Sequence, residues 1–331
     1  MPQPHPEYDL AARARAWTDY WARGLQHSCA GSFADDYGSS IGAFWQTVFA
    51  TLGPQAQVLD ACCGNTPLAR MLLNLSDAGG QVARVVAVDA ARVSPSWLAE
   101  VDEGISARVE VRGGIDVAAM PFEDASFDLC MSQYGIEYVG APAFAECGRV
   151  LRSGGRLAAV LHHADALLVR IGREECTHME VLLEDGGLFA RARAMIEPVS
   201  RSATEAGRAA LMHDAGANAA RQAFNDALRA LKARIEASAF PDIMEEQRLA
   251  VMQLLSQVAQ LGAQAGYQQL EALHQTLLDS RLRQQELVEF ARDEADMEAL
   301  LASFPGKVES LEPLKFENGE LAGWALVAVR D

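Results

Sequence analysis

Five short apolar runs, separated for the most part by helical patterns, constrain this chain more than anything else in its sequence. They read AQVLDAC, ARVVAVDAA, ARVEVRGG, SFDLCMSQYG and GGRLAAVLHH, in that order between Ala56 and His163. TPLARMLLNL, after the first run, reads as a helix with Pro67 in its first turn, where a missing N–H does no harm. PAFAECGRVLRSGG, before the fifth, reads as another. β-rich runs alternating with helices predict βαβ units and a parallel sheet covered on both faces. The unbroken apolar character of VVAV and LAAVL agrees, because a strand buried on both sides shows no polar alternation.

The flanks differ in kind. Residues 1–50 read as helix in two pieces, broken by HSCAGSFADDYGSS, and carry the aromatic series Tyr8, Trp17, Tyr20, Trp21, Phe33, Tyr37, Phe44, Trp45 and Phe49. In residues 165–302 the strand signal disappears. The series Met252, Leu255, Ala259, Gly262, Gly266, Leu270, Leu273, Leu277 steps by three or four, as one helical face does. Pro198 and Pro241 interrupt this region, so several helices are expected, two of them long. In residues 303–331, KVESLEPLKF and LAGWALVAVR flank ENGE, and Asn-Gly between β-rich runs is the strongest short hairpin signal. The expected architecture is α/β: a doubly wound, seven-stranded, mainly parallel sheet from residues 51–164 and 303–331, with an α-helical insertion at 165–302.

Composition narrows the partners. The formal charge of −17 at pH 7 offers no basic footprint for a nucleic-acid backbone. MPQPHPEYDL lacks the basic and apolar regions of a secretory signal, and no apolar run reaches the length of a membrane span. A cytoplasmic protein without membrane contact is expected. The six cysteines, at 29, 62, 63, 130, 147 and 176, show no CxxC spacing and read as reduced, buried thiols. No cluster with metal-ligand spacing surrounds the Cys62–Cys63 pair, so no metal is expected. Vicinal cysteines, moreover, close only a strained ring.

The chemistry concentrates in the first strand, turn and helix, VLDACCGNTPLAR. A turn of small residues there lets backbone N–H groups and the next helix N-terminus come close to a ligand. Asp60 ends the strand and Gly64 permits the turn, but the GxGxxG and Walker phosphate-binding patterns are both absent. Asp89, 29 residues on, ends the second run. A carboxylate there suits the two hydroxyls of a ribose, and equally a helix cap or a solvated strand end.

With GGIDVAAMPFEDASFDLCMSQYGIEYV and RVLRSGGRLAAVLHH following in order, the chain resembles the class I S-adenosylmethionine-dependent methyltransferases over about residues 50–165 and 303–331. Their first motif, VLDxGxGxG, stands here as Val58 to Asn65. The resemblance implies S-adenosyl-L-methionine as cofactor, with Asp60, Ala61, Cys62 and Gly64 against its methionine part. It also implies that Asp89 holds the ribose hydroxyls with Ala90 beside the adenine. Asp116 would meet the adenine amino group, with Val117 beside the ring, and Ser132, Gln133 and Tyr134 would face the methyl donor. The chain departs from the motif where Ala61, Cys62 and Asn65 replace glycines. The loop is therefore expected to keep its ligand but to be less permissive at positive φ.

Methyl transfer is an in-line displacement governed largely by positioning and desolvation, and a base is needed only when the acceptor arrives protonated. His162 and His163, closing strand five, and Tyr134, after strand four, are the candidate catalytic residues, with Glu137 and the weaker His178 beside them. Adjacent strand residues face opposite ways, so at most one of the two histidines points at substrate. Packing or capping roles are the alternative for each. In many small-molecule members of the family the segment before the first strand closes over the cofactor as a lid. By that analogy Tyr20, Trp21, His27, Ser28, Phe33 and Tyr37 wall off water and present a hydroxyl to the methionine carboxylate. The other reading packs these aromatics on the sheet.

The insertion far exceeds the roughly 30 residues that a minimal member needs between strand five and the hairpin. A cap that supplies the acceptor pocket is the favoured use, and a homodimer interface the second. The functional expectation is methylation of a small-molecule acceptor at oxygen or nitrogen, with S-adenosylhomocysteine as product. A non-catalytic S-adenosylmethionine-binding scaffold is the alternative, and other chemistry on the same scaffold is a remoter one.

Overall fold

The computed structural model describes residues 10–28, 37–53, 55–79 and 83–331; Tyr8, Cys29 and Phe33 lie outside the described residues. The first part of the chain forms α1 (Leu10–Trp21), α2 (Ser39–Phe49), β1 (Gln57–Ala61), α3 (Pro67–Gly79) and β2 (Arg84–Asp89). A 3₁₀ turn (Ser96–Ala99) and the one-turn α4 (Glu103–Ser106) lead to β3 (Val109–Gly113) and β4 (Phe127–Gln133). A second 3₁₀ turn (Ile136–Tyr138), α5 (Ala141–Val150) and β5 (Leu151–Leu161) follow. Then come α6 (Leu167–Leu183), α7 (Leu188–Arg201), α8 (Glu205–Leu211), α9 (Ala215–Ala237), α10 (Asp242–Leu261), α11 (Ala263–Phe290) and α12 (Glu294–Leu301). The chain ends in β6 (Gly306–Lys315) and β7 (Leu321–Arg330). Among the described residues no helix is long and apolar enough to cross a membrane.

The seven strands form one sheet of order β3-β2-β1-β4-β5-β7-β6. β1 pairs in parallel with β2 on one side and β4 on the other, and β7 runs antiparallel between β5 and β6. Strand order therefore reverses between β1 and β4, which opens a crevice at the carboxyl ends of those strands. Both faces are covered, as the apolar runs require. Leu59 and Ala61 pack with Ile136, Phe144 and Leu157 on one face, while Val58 packs with Trp45, Leu68 and Leu72 on the other. Burying each of the larger side chains contributes about 1.5–3 kcal/mol.

The ENGE segment turns β6 into β7. Gly319 takes φ +85°, the Gly319 N–H donates to Phe316 O (2.9 Å), and the Glu320 N–H donates to Asn318 Oδ1 (3.0 Å). β6 is the outer strand, and Lys307, Glu309, Glu312 and Pro313 along it discourage pairing with another chain.

The chain divides into two compact units, Met1–Arg170 with Glu286–Asp331, and Ile171–Gln285. The second unit is narrower than the span 165–302, because α12 belongs to the first: Met297 and Leu300 sit in the same core cluster as Phe144 and Ile136. The second unit has its own core, built from Met179, Phe189, Ile196, Leu231, Met244, Val251, Val258 and Leu277. Two sequence expectations change here. Pro198 lies inside α7 without ending it, and the helix runs on to Arg201. The stepped series from Met252 to Leu277 is not one helical face, because Gly262 takes φ +84° and ends α10 before α11 begins. Met252 consequently points to solvent, at 41% exposure, while Leu255, Leu270 and Leu277 are buried.

Gly266 shows why that series contains glycine. A Cβ there would stand 3.0 Å from Val258 Cγ2 and 3.1 Å from Ile196 Cγ2, so α11 passes close over α10 and α7. Gly266→Ala gains about 1 kcal/mol of helix propensity against this crowding and is expected to be near neutral. Gly266→Leu should cost about 1–3 kcal/mol, read as a lower midpoint in urea unfolding.

Candidate functional site

The turn after β1 is built on alternating backbone handedness. Cys62, Gly64 and Thr66 take φ of +59°, +50° and +58°, so two side-chain-bearing residues adopt the conformation the sequence reading disfavoured. Each costs about 1–2 kcal/mol over the right-handed form. The cost is met by packing and hydrogen bonding: the Cys63 N–H donates to Val88 O (3.0 Å), the Thr66 N–H donates to Cys63 O (2.9 Å), and Thr66 Oγ1 accepts from Trp97 Nε1 (3.0 Å). Gly64 is required twice over, since a Cβ there would also lie 2.5 Å from the Trp21 ring. Gly135 leaves the room that Cys62 fills, as a Cβ on Gly135 would stand 2.3 Å from Cys62 Cβ. Burial first, and Asp89 next, push the Cys62 and Cys63 thiols well above their usual range, so neither is a nucleophile. Cys62, Cys63, Cys130, Cys147 and Cys176 are all unpaired thiols. Among the described residues no group of three or more His, Cys, Asp or Glu is placed to hold a metal.

Beside this turn lies a cavity of about 490 Å³, within the usual size of ligand sites. The sequence-predicted residues Asp60, Cys62, Gly64, Asp89, Ala90, Asp116, Gln133, Tyr134 and Tyr37 line it. Asp60 is 1% exposed, and its Oδ2 has no hydrogen-bond partner among the described residues. Burial and the neighbouring Asp89 hold its carboxyl well above the ordinary carboxylate range. Asp89 accepts from the Gly64 N–H at Oδ2 (2.9 Å) and from the Ala91 N–H at Oδ1 (2.8 Å). Burial raises its carboxyl too, against those two bonds. Asp116 sits exposed at the rim and accepts from the Ala118 N–H (2.8 Å). Gln133 accepts from Trp45 Nε1 (2.7 Å), and its Nε2 has no partner among the described residues.

Strand parity separates the other predicted residues from the cavity. Ala61 points into the core on the far side of its strand neighbour Asp60, and Val117, in the turn after β3, is buried in the same core. Ser132, next to Gln133, donates to Ala61 O (2.8 Å) and accepts from the Ile136 N–H (3.3 Å), so its hydroxyl holds the backbone together. Tyr134 lines the cavity by its ring, while its hydroxyl donates to Ala322 O (2.9 Å). His162 is buried behind that ring, stacked on it at 4.2 Å, with Nδ1 2.7 Å from Glu137 Oε1. His163 turns the other way, stacks on Trp324 at 4.5 Å and accepts from the Asp165 N–H (2.9 Å). His178 belongs to the second unit, where it meets Ser238 Oγ at 3.0 Å.

Residues that sequence reasoning missed come mainly from the N-terminal segment and its anchors. Arg13, Ala14, Trp17 and Gln26 line the cavity together with Trp21 and Ser28. Arg13 and Trp17 both bind Glu286, the latter at 3.0 Å, and burial raises the Glu286 carboxyl against those two donors. Asn65 falls on a variable position of VLDxGxGxG counted from Val58, the glycine positions being Cys62, Gly64 and Thr66, and it donates through Nδ2 to Trp21 O (3.0 Å) and Leu25 O (2.7 Å). Its partners lie 44 and 40 residues away in sequence, beyond the reach of a local pattern. Asn65→Gly should free the end of α1. A red shift of tryptophan emission and faster tryptic cleavage after Arg23 are the expected readouts.

With the geometry in place, comparison with known proteins is informative about the first unit. Residues 58–155 match the family described as methyltransferase domain, a span from β1 into β5 that contains Asp60, Asp89, Asp116 and Tyr134. No curated protein matches the chain. Among solved structures, a geranyl diphosphate methyltransferase in complex with GPP and sinefungin is 22% identical, over 46% of this chain and 66% of that one, with a TM-score of 0.37. The 1,6-didemethyltoxoflavin-N1-methyltransferase of Burkholderia thailandensis is 20% identical over 49% of this chain and 67% of that one, at 0.38. The [4+2]-cyclase SpnF is 20% identical over 46% and 58%, at 0.35. The chain thus spans about two thirds or less of each. Residues 58–155, from the first strand into the fifth of the seven-stranded sheet, are thus similar to the methyltransferase domains.

Proposed function

We propose that this protein transfers a methyl group from S-adenosylmethionine to a small-molecule acceptor, at oxygen or nitrogen. One observation carries the reading: Asp60, Asp89 and Asp116 stand around a single cavity, and Asp60 Oδ2 is left without a partner in it. The residues present fit the cofactor. Asp60 would meet its ammonium group, Asp89 the ribose hydroxyls and Asp116 the adenine amino group. The Nε2 of Gln133 and of Gln26, both unpartnered, offer donors for its carboxylate. When bound, the cofactor supplies an electrophilic methyl group on sulfonium.

The chain's own residues do the rest. Trp17, Trp21, Tyr134 and Tyr138 give the cavity aromatic walls that exclude water, which strengthens every charge interaction inside it. Cys62 and Gly135, packed against each other, leave no side chain between the backbone and the ligand. Arg13, Ala14, Trp17, Tyr138 and Val139 remain to receive the acceptor.

Two measurements test this. In calorimetry with S-adenosylhomocysteine, Asp89→Ala should weaken binding by about tenfold or more, the loss of roughly one charge-assisted hydrogen bond. A leucine at Cys62 should abolish binding, while Cys63→Ala should leave it intact. Asp60 gives the second. Its raised carboxyl makes the folded protein hold a proton more tightly than the unfolded chain, so its contribution to stability is complete at low pH and is lost as pH rises through the folded value. An ammonium group arriving beside it favours the charged form. Binding at a pH below the carboxyl's raised folded value should therefore release a proton, seen as a dependence of the binding enthalpy on the buffer. Asp60→Asn should remove that dependence. Binding that is the same in wild type and Asp89→Ala would contradict the placement.

A further inference from the structure

Behind the cavity wall lies a pair of groups that cofactor binding does not use. Glu137 is 0% exposed and His162 is 1% exposed. Glu137 Oε1 accepts from the His162 backbone N–H (3.0 Å) and lies 2.7 Å from His162 Nδ1. The other atom of each group, Glu137 Oε2 and His162 Nε2, has no hydrogen-bond partner among the described residues. A carboxylate accepts only, so the contact places the imidazole hydrogen on Nδ1 and leaves the Nε2 lone pair free. Tyr134 stacks on the imidazole with 22° between the planes, which fixes the ring's orientation. A pair that served only to pin the end of β5 would need one backbone bond, not an imidazole whose second nitrogen is desolvated and unused.

We propose that His162, oriented by Glu137, accepts the proton of the acceptor, which is therefore a hydroxyl or an amine and not a thioether or tertiary amine. This rests on the methyl-transfer reading above and names the acceptor class for it. His162 Nε2 takes the proton, and the O–H or N–H electron pair stays on the heteroatom. That pair makes the bond to the methyl carbon, while sulfur keeps the pair of the bond it loses. The imidazolium so formed faces Glu137. The other charged and titratable groups around the pair include Arg292, whose Nη2 donates to Glu137 O (3.2 Å), the Cys62 thiol, which burial, Asp89 and then Glu137 raise, and the two tyrosines.

Access runs past Tyr138. Its ring meets the imidazole edge-on at 5.8 Å and also lines the cavity. It is carried on the 3₁₀ turn between Gly135 and Gly140, the latter at φ +79°, so the ring sits on a short segment bounded by glycines. His162 does not itself line the cavity, so proton transfer requires that moving this side chain open a path from Nε2 to the acceptor end.

The test is chemical and needs no known acceptor. The full chain, saturated with S-adenosylhomocysteine, is treated with diethyl pyrocarbonate, which modifies neutral, reachable imidazole, and each histidine is followed by peptide mass mapping. Exposed His213 is the internal standard. His162 is expected to react, and Glu137→Gln to slow it about tenfold relative to His213, as loss of an orienting partner does. Tyr138→Ala should speed it and covers the case in which the glutamate variant fails to fold. A His162 that stays unmodified while His213 is consumed would overturn the proposal. So would a rate unchanged in Glu137→Gln or in Tyr138→Ala. Calorimetry on the same sample reads cofactor binding separately: if S-adenosylhomocysteine does not bind, the methyl-transfer reading fails, whatever His162 does.

Discussion

The hydrogen bond from the Gly64 N–H to Asp89 Oδ2 joins the ends of β1 and β2, and the rest of the site is arranged around it. It sets the height of the turn above the sheet, and with it the place where α3 begins. It also fixes the Asp89 carboxylate, whose second oxygen is held by Ala91. Neither bond exhausts its oxygen, because each carboxylate oxygen has a second lone pair. The turn can be this tight because Trp21 lies where a side chain on residue 64 would be. Three left-handed residues in five is an expensive backbone, and such strain persists where surrounding structure over-determines it.

That arrangement also brings like charges together. Burial first and Asp89 next raise the cost of ionising Asp60, burial raises the Asp89 carboxyl too, and among the described lining residues Arg13 is the only cation. The nearest cationic lining residue, Arg13, is already engaged by Glu286. A site so built is incomplete by itself and favours a ligand that brings positive charge, which is the electrical character of a sulfonium carrying an ammonium group. Shape and charge thus support one reading independently of the family match.

The sheet and the carboxylates were legible because they are local. An apolar run, a strand end and a small-residue turn are written within a few positions, and Asp60 and Asp89 follow from them, whereas Asp116 came only from the family resemblance. Which face a strand residue takes was less legible, although parity contains it. Once Asp60 and Gln133 face the cavity, Ala61 and Ser132 must face away. The catalytic candidates divided on the same rule, with His162 turned toward Tyr134 and His163 toward Trp324. What the sequence could not show is long-range: Asn65 holding Trp21 and Leu25, or Glu137 meeting His162. A stepped apolar series also hides a break when the breaking residue, Gly262, keeps the step.

Glu286 illustrates how far such a constraint reaches. It lies 269 residues from Trp17 in sequence, yet its two oxygens take the Trp17 indole N–H and the Arg13 guanidinium on α1. A buried pair of this kind yields little net stability, since desolvation offsets most of the Coulombic gain. Its effect is geometric. Arg13 and Trp17 are one turn apart on α1, so a single carboxylate that satisfies both fixes the rotation of the helix about its axis. That rotation is the one that also brings Trp21, a further turn on, over Gly64. The end of α11 thereby helps to determine how closely the first turn of the sheet is covered, and a residue far outside the matched domain shapes the cavity that the domain's own carboxylates define.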